Sequence, residues 1–179
     1  MVVDTILFGD CRETLKEFDG KARTCVTSPP YYGLRDYGGE ESQIGQEQTP
    51  EEYIQNLVEV FRSVRDVLTD DGTLWVNIGD SYYNYRPGKG QALPKQTVSK
   101  TKQDLPDKCA KRGNKLEGLK EKDLIGIPWM LAFALRADGW YLRQDIIWHK
   151  PNPMPESVKD RCTKSHEYIF LLSKNRKYY

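Results

Sequence analysis

The chain has 179 residues, enough for one domain with a sizeable core, and its 27 Lys and Arg nearly balance 26 Asp and Glu, for a formal net charge of +1. That balance does not mark the whole chain as a nucleic-acid binder, and no stretch approaches the ~20 apolar residues of a membrane span. Cys11, Cys25, Cys109 and Cys162 form no CxxC pair and His149 and His166 complete no zinc spacing with them, so the expectation is no metal and reduced thiols in a cytoplasmic protein; the opening MVVDTILFGD has no basic leader.

In chain order, Val3–Phe8 reads as a buried strand closing on Gly9-Asp10. A short helix follows over 11–18, with Leu15 and Phe18 on one face and Gly20 as its stop. Thr24–Thr27 is a second strand, ended by two prolines that cannot continue a ladder. Residues 34–49 are polar and read as a mobile loop. The clearest helix runs from Thr49 to Asp70-Asp71-Gly72: Thr49 caps it, Pro50 suits its first turn, and Glu51 and Glu52 favour its positive end. Its apolar face is Tyr53, Leu57, Val60, Phe61, Val64 and Leu68. GTLWVNIGDSYY is a strand closing on Gly79-Asp80.

Residues 84–121 form a polar, basic insertion. Arg86–Lys122 carries eleven Lys or Arg against four Asp or Glu, with no apolar period, which reads as loosely ordered. A helix from near Pro128 to Asp138-Gly139 comes next, then strands in YLRQDIIWHKPNP and HEYIFLLSK. Alternating strands and helices predict an α/β sheet, in which ligands sit at the carboxyl ends of strands. Asp10, Ser28-Pro29-Pro30-Tyr31 and Asp80 all fall at such ends.

The Ser28–Tyr31 turn carries the chemistry. Two prolines fix φ and remove two N–H donors, leaving carbonyls as the strong main-chain polar groups. A stiff turn with a carbonyl, a hydroxyl and an aromatic ring suits a planar ligand bearing an amino group. A nucleobase amine is a poor nucleophile because its lone pair is delocalised. Acceptors on its hydrogens, from Ser28 Oγ and the Pro29 carbonyl, favour the pyramidal, nucleophilic form. A proline-terminated strand with a surface tyrosine is the alternative for the tetrapeptide alone.

The surroundings make the pattern specific. TSPPYYGLRDYG, ILFGDCRETL, GTLWVNIGDSY, GIPWMLAFALRADGWYLRQDIIWHKPNP and SHEYIFLLSK together resemble the amino-methylating DNA methyltransferases, which make N4-methylcytosine or N6-methyladenine. The resemblance covers nearly the whole chain. It implies a Rossmann-like S-adenosylmethionine-dependent methyltransferase fold, here incomplete: the catalytic half, a mixed sheet ending in an antiparallel hairpin. It further implies double-stranded DNA as partner, a target base flipped out of the duplex, and direct attack of its amine on the sulfonium methyl. Ser28 as the first motif residue favours cytosine N4, with adenine N6 left open.

The same resemblance implies the roles of other residues. Ser28 and the Pro29 carbonyl hold the amine, Pro30 shapes the turn, and Tyr31 stacks on the base. Asp10, with Cys11 beside it, either accepts from the cofactor's adenine amine or caps the helix that follows. His166 and Glu167 begin the last strand near cofactor or base. Tyr32, Arg35, Trp148, Lys150 and Asn152 are expected at the base pocket or DNA, and the basic insertion at the DNA backbone.

One expected feature is missing. The glycine-rich F-x-G-x-G turn of the cofactor-binding half does not occur, and Gly88-Lys89-Gly90 lies in the wrong context. The match is to the first half of a permuted class, with the chain as its N-terminal portion: truncated product, split enzyme or fragment. In the family's sheet the strands ending at Asp10 and Ser28 are separated by two strands of the other half. The expectation is therefore a missing C-terminal half or a second chain as partner, or a rearranged first strand. A truncated, non-catalytic remnant that binds DNA or a partner is the competing reading.

Overall fold

The computed structural model describes residues 4–34, 43–83 and 116–178. Its elements are α1 (Cys11–Glu17), β1 (Ala22–Thr27), α2 (Pro50–Val67), β2 (Leu68–Ile78), α3 (Ile127–Ala137), β3 (Tyr141–His149) and β4 (His166–Ser173). The four strands form one mixed sheet in the order β1-β2-β4-β3. β1 and β2 run parallel, joined by the crossover through α2. β4 is antiparallel to both β2 and β3, so the chain's last two strands make the expected antiparallel pair.

Local chemistry explains α2. Thr49 accepts from the Glu52 backbone N–H while the Glu52 carboxylate accepts from the Thr49 N–H, a closed capping box with Pro50 in the first turn. Its apolar face buries Tyr53, Ile54, Leu57, Val58, Phe61 and Val64. These pack with Leu131 and Leu135 of α3 onto alternate residues of the central strands: Leu74, Val76 and Ile78 of β2, Phe170 and Leu172 of β4. The period of two along each strand puts that set on one face of the sheet. On the other face Trp75, Asn77, Ile146 and Ile169 remain half-buried, and Val26 is 77 % exposed.

The strand expected at Val3–Phe8 does not form. Residues 4–8 have no regular structure, and Ile6 and Phe8 are 77 % and 88 % exposed. The physical reason is the sheet's edge: β1 pairs only with β2 among the described residues, so no neighbour supplies the ladder that a strand at 4–8 needs. Of the basic insertion, residues 84–115 lie outside the described residues, as does Cys109. Its two roots meet: Tyr82 bridges Leu124, and Tyr83 N donates to Asp123 O at 2.8 Å. The insertion therefore springs from the carboxyl end of β2. No helix among the described residues is long and apolar enough to cross a membrane.

Candidate active site

Ser28-Pro29-Pro30-Tyr31 leaves the carboxyl end of β1, as the ladder-ending prolines require. Pro29 is buried, whereas Ser28 and Pro30 are exposed and Tyr31 is half-buried. The turn is braced from below by α2, where Tyr53 Oη donates to the Pro30 carbonyl at 2.7 Å. Burial pushes the Tyr53 phenol well above its ordinary range, so it stays a donor. From the side, Gly33 N donates to Gly45 O at 2.8 Å. Gly45 has φ +97°, and a Cβ there would sit 3.1 Å from the Tyr31 carbonyl oxygen, so glycine fits both the backbone and the gap.

Tyr31 is held at both ends. Its ring lies over Gly79, where a Cβ would come within 2.7 Å of Tyr31 Cε2. Its hydroxyl is 3.1 Å from Asn77 Oδ1 and 3.0 Å from Glu167 Oε2. Asn77 Oδ1 also lies 3.5 Å from Ser28 Oγ, and Asn77 Nδ2 donates to Tyr168 O at 3.3 Å, which fixes the amide's orientation. Glu167 accepts from Lys150 Nζ through its other carboxylate oxygen. Burial pushes the Glu167 carboxyl up, but the Lys150 ammonium and the Tyr31 hydroxyl outweigh it and leave its pKa below the usual value. The Tyr31 phenol is pushed up to about 12, first by burial and then by the nearby Glu167 charge, against a lowering contribution from Ser28.

Beside this cluster, Asp80 ties the end of β2 to the start of α3. Its carboxylate accepts from Gly126 N at 3.0 Å and Ile127 N at 3.0 Å, so it caps a helix whose N-cap residue, Gly126, has no side chain. Lys164 Nζ donates to the Asp80 carbonyl at 2.8 Å, and burial lowers that lysine's pKa.

The family profile described as DNA methylase (N6_N4_Mtase) matches residues 22–179. The chain belongs to this DNA methylase family. It is 54 % identical over 180 residues to the type II methyltransferase M.SmaI of Serratia marcescens and 53 % identical over 176 residues to M.Cfr9I of Citrobacter freundii. The alignments take in 97 % and 98 % of this chain but 57 % and 56 % of those proteins, so the chain spans little more than half the length of the curated relatives it matches. In fold it is similar to the PvuII cytosine-N4-specific DNA methyltransferase: TM-score 0.61 at 17 % identity, covering 95 % of this chain and 49 % of that one. A Thermus thermophilus protein solved with S-adenosyl-L-methionine aligns with TM-score 0.58 at 21 % identity, over 96 % of this chain and 53 % of that one.

Within this DNA methylase chain, Ser28, Pro29, Pro30, Tyr31, Lys150 and Glu167 come together. Tyr32 stands behind the turn, its ring tilted against Tyr53 at 5.4 Å and its hydroxyl donating to Gln48 O at 3.3 Å. His166 opens β4, paired across the ladder with His149 and edge-on to Tyr168 at 5.3 Å. Trp148 is 53 % exposed near the end of β3, and Asn152 is exposed just beyond it. Asp10 caps α1: its carboxylate accepts from Arg12 N at 2.9 Å and from the Arg12 guanidinium, which holds its pKa down to about 2. Cys11 is exposed overall, but partial desolvation of its sulfur and the neighbouring Asp10 charge raise its thiol pKa. Arg35 lies outside the described residues.

Sequence reasoning overlooked Asn77, and it marked Gly79 only as part of a strand end. Both sit in the strand-end segment VNIGDSY, and their roles come from Tyr31, a partner 46 residues away for Asn77. No group of three or more His, Cys, Asp or Glu among the described residues could hold a metal.

Proposed function

We propose that this chain is the catalytic portion of an S-adenosylmethionine-dependent DNA amino-methyltransferase that acts on a flipped base, with cytosine N4 as the preferred target. The observation that carries this is the braced turn: an exposed Ser28 hydroxyl beside a buried Pro29 and an anchored aromatic ring. The base amine's hydrogens would meet Ser28 Oγ and the Pro29 carbonyl, while the Tyr31 ring packs on the base plane. These groups raise the amine's nucleophilicity and fix its direction, which are positioning and electrostatic effects. Ser28 in the motif, together with the cytosine-N4 specificity named for the PvuII enzyme, supports cytosine over adenine.

The described residues fit part of the cofactor's requirement. Asp10 is an exposed, ionised carboxylate able to accept from an amine, though Arg12 already occupies it. Glu167 is engaged by Lys150 and Tyr31. When bound, S-adenosylmethionine supplies the activated methyl group; this chain's own residues bind and orient the amine that receives it. A second polypeptide half is the partner that this reading calls for. The open edge of β1 and the exposed apolar residues Ile6, Leu7 and Phe8 offer it a place to pair. Trp148 and Asn152, exposed at the end of β3 and just beyond it, are then the described residues that meet DNA.

The experiment is methyl transfer from labelled S-adenosylmethionine to double-stranded DNA, by the chain alone and with the C-terminal half of a close relative added. Activity restored by the added half, with N4-methylcytosine as the product on mass spectrometry, supports the reading. N6-methyladenine would move the target to adenine. DNA binding without transfer under both conditions would leave a non-catalytic binding remnant instead.

A further inference from the structure

Three segments distant in sequence meet at one hydroxyl. Tyr31 follows β1, Asn77 lies near the end of β2, and Glu167 is the second residue of β4. The Tyr31 hydroxyl has one proton and two acceptors in reach, at 3.1 and 3.0 Å. A carboxylate is the stronger acceptor. Giving the proton to Glu167 leaves Asn77 Oδ1 for Ser28 Oγ, which approaches it at 3.5 Å. Lys150 takes the second oxygen of Glu167, and its own backbone N–H donates to Ser165 O at 2.7 Å. The cation that stabilises the carboxylate is thus fixed by the chain on both sides of the β3–β4 connection.

We propose that Glu167 and Lys150 are positioning residues: a Lys150–Glu167–Tyr31 hydrogen-bond chain that sets the plane of the Tyr31 ring. This rests on the methyltransferase reading and departs from the roles that the resemblance implies. Their charged groups are spent on each other and on Tyr31, not on cofactor or DNA. Gly79 leaves room for the ring on one side, and Glu167 holds its far end. Without the anchor the hydroxyl is left with Asn77 Oδ1, which Ser28 Oγ also approaches, so the ring shifts about its side-chain torsions, and a displacement of about 1 Å in a positioning group can cost up to ~10²-fold in rate.

Two measurements test it. The first uses the chain alone, with ¹³C-labelled tyrosine; the Tyr31 Cζ resonance is the one lost in Tyr31→Phe. At neutral pH, Glu167→Gln and Lys150→Met should each shift that resonance, while Glu13→Gln on α1 leaves it in place. In alkaline titration, Glu167→Gln should bring Tyr31 down toward free tyrosine, because the neighbouring negative charge is gone; Lys150 and Lys164 are the other charged groups near Glu167. An unmoved Tyr31 resonance in Glu167→Gln overturns the anchor.

The second measurement uses the chain with the added C-terminal half. Glu167→Gln and Lys150→Met should lower kcat by about 10-fold and keep KM for S-adenosylmethionine within about 2-fold. The Tyr31→Phe/Glu167→Gln double variant should be no slower than Tyr31→Phe, because without the Tyr31 hydroxyl the loss of the Glu167 charge has no link to the ring left to act through. An unchanged kcat with a raised KM for S-adenosylmethionine makes Glu167 a cofactor contact and sinks the proposal. If the wild-type pair transfers no methyl group, the methyltransferase reading fails, and the resonance of Tyr31 still decides the anchor.

Discussion

The Tyr31 ring occupies the space a side chain at Gly79 would need. A Cβ at residue 79 would stand 2.7 Å from Tyr31 Cε2 and 3.2 Å from Cδ2, closer than packed carbons tolerate. The ring cannot retreat freely, since its hydroxyl is hydrogen-bonded to Asn77 or Glu167. Gly79→Ala should therefore push the ring off its seat. Overpacking of this kind costs about 1–3 kcal/mol, and methyl transfer by the reconstituted enzyme should fall by ~10-fold or more. Urea denaturation and the transfer assay check the two expectations; a Gly79→Ala variant with wild-type values of both would show that the ring's seat is not set here.

Tyr53 supports the same turn from α2. Tyr53→Phe removes the 2.7 Å hydrogen bond to the Pro30 carbonyl and keeps the buried ring. The expected loss is about 1 kcal/mol, the net worth of a typical hydrogen bond, rising if the carbonyl is left without water. The denaturation midpoint measures it. A Tyr53→Leu variant should lose more, because the tilted contact with Tyr32 goes as well.

Asp80 holds the start of α3. Because Gly126 has no side chain to cap the helix, Asp80 does so from the end of β2. Asp80→Ala should cost about 1–2 kcal/mol, in the range of a lost N-cap, and Asp80→Asn much less, since an amide oxygen can still accept. Equal losses for the two variants would argue against capping.

Val26 tests the open edge of the sheet. It is 77 % exposed on β1, so Val26→Asp should leave the chain's own melting temperature within about 1 °C of wild type. If a second half docks there, the same change should weaken association at least ~10-fold, as a charge is buried without a partner. Calorimetric titration of one half into the other reads both constants. Equal affinity for the two chains would place the second half elsewhere.

Most of the fold could be read from local signals. α2 was legible because capping box, proline and apolar stripe agree along eighteen residues. The turn at Ser28–Tyr31 was legible because two prolines can only end a ladder. Val3–Phe8 misled for the opposite reason: an apolar run states a preference for burial, but a strand needs a neighbour, which the run itself does not encode. Asp10 was ambiguous for the same kind of reason. A carboxylate after Gly9 can cap a helix or meet a ligand, and Arg12, two residues on, gives its backbone N–H to the cap and adds a bidentate guanidinium pair. Asn77, Gly79 and the Lys150–Glu167 link are contacts across strands, so their meaning depends on the register β1-β2-β4-β3 and not on any spacing along the chain.

Glu167 also gives the chain a pH dependence whose sign is fixed. Burial raises its pKa, but the Lys150 ammonium and the Tyr31 hydroxyl lower it further, so the folded value lies below the unfolded one. A carboxylate with a depressed pKa contributes stability that is fully present above its unfolded value, about 4.3, and is lost as pH falls through its folded value. Protonated Glu167 can no longer pair with Lys150, whose ammonium is then left at a half-buried site. The gap in urea midpoint between wild type and Glu167→Gln should thus be widest near neutral pH and shrink on acidification below about pH 4. Because the glutamine still accepts from Tyr31, what the gap reports is the ion pair. A gap that stays constant from neutral to acid pH would mean that Glu167 is no more stabilised as an anion in the folded chain than in the unfolded one, and the Lys150 link would then contribute contact without charge.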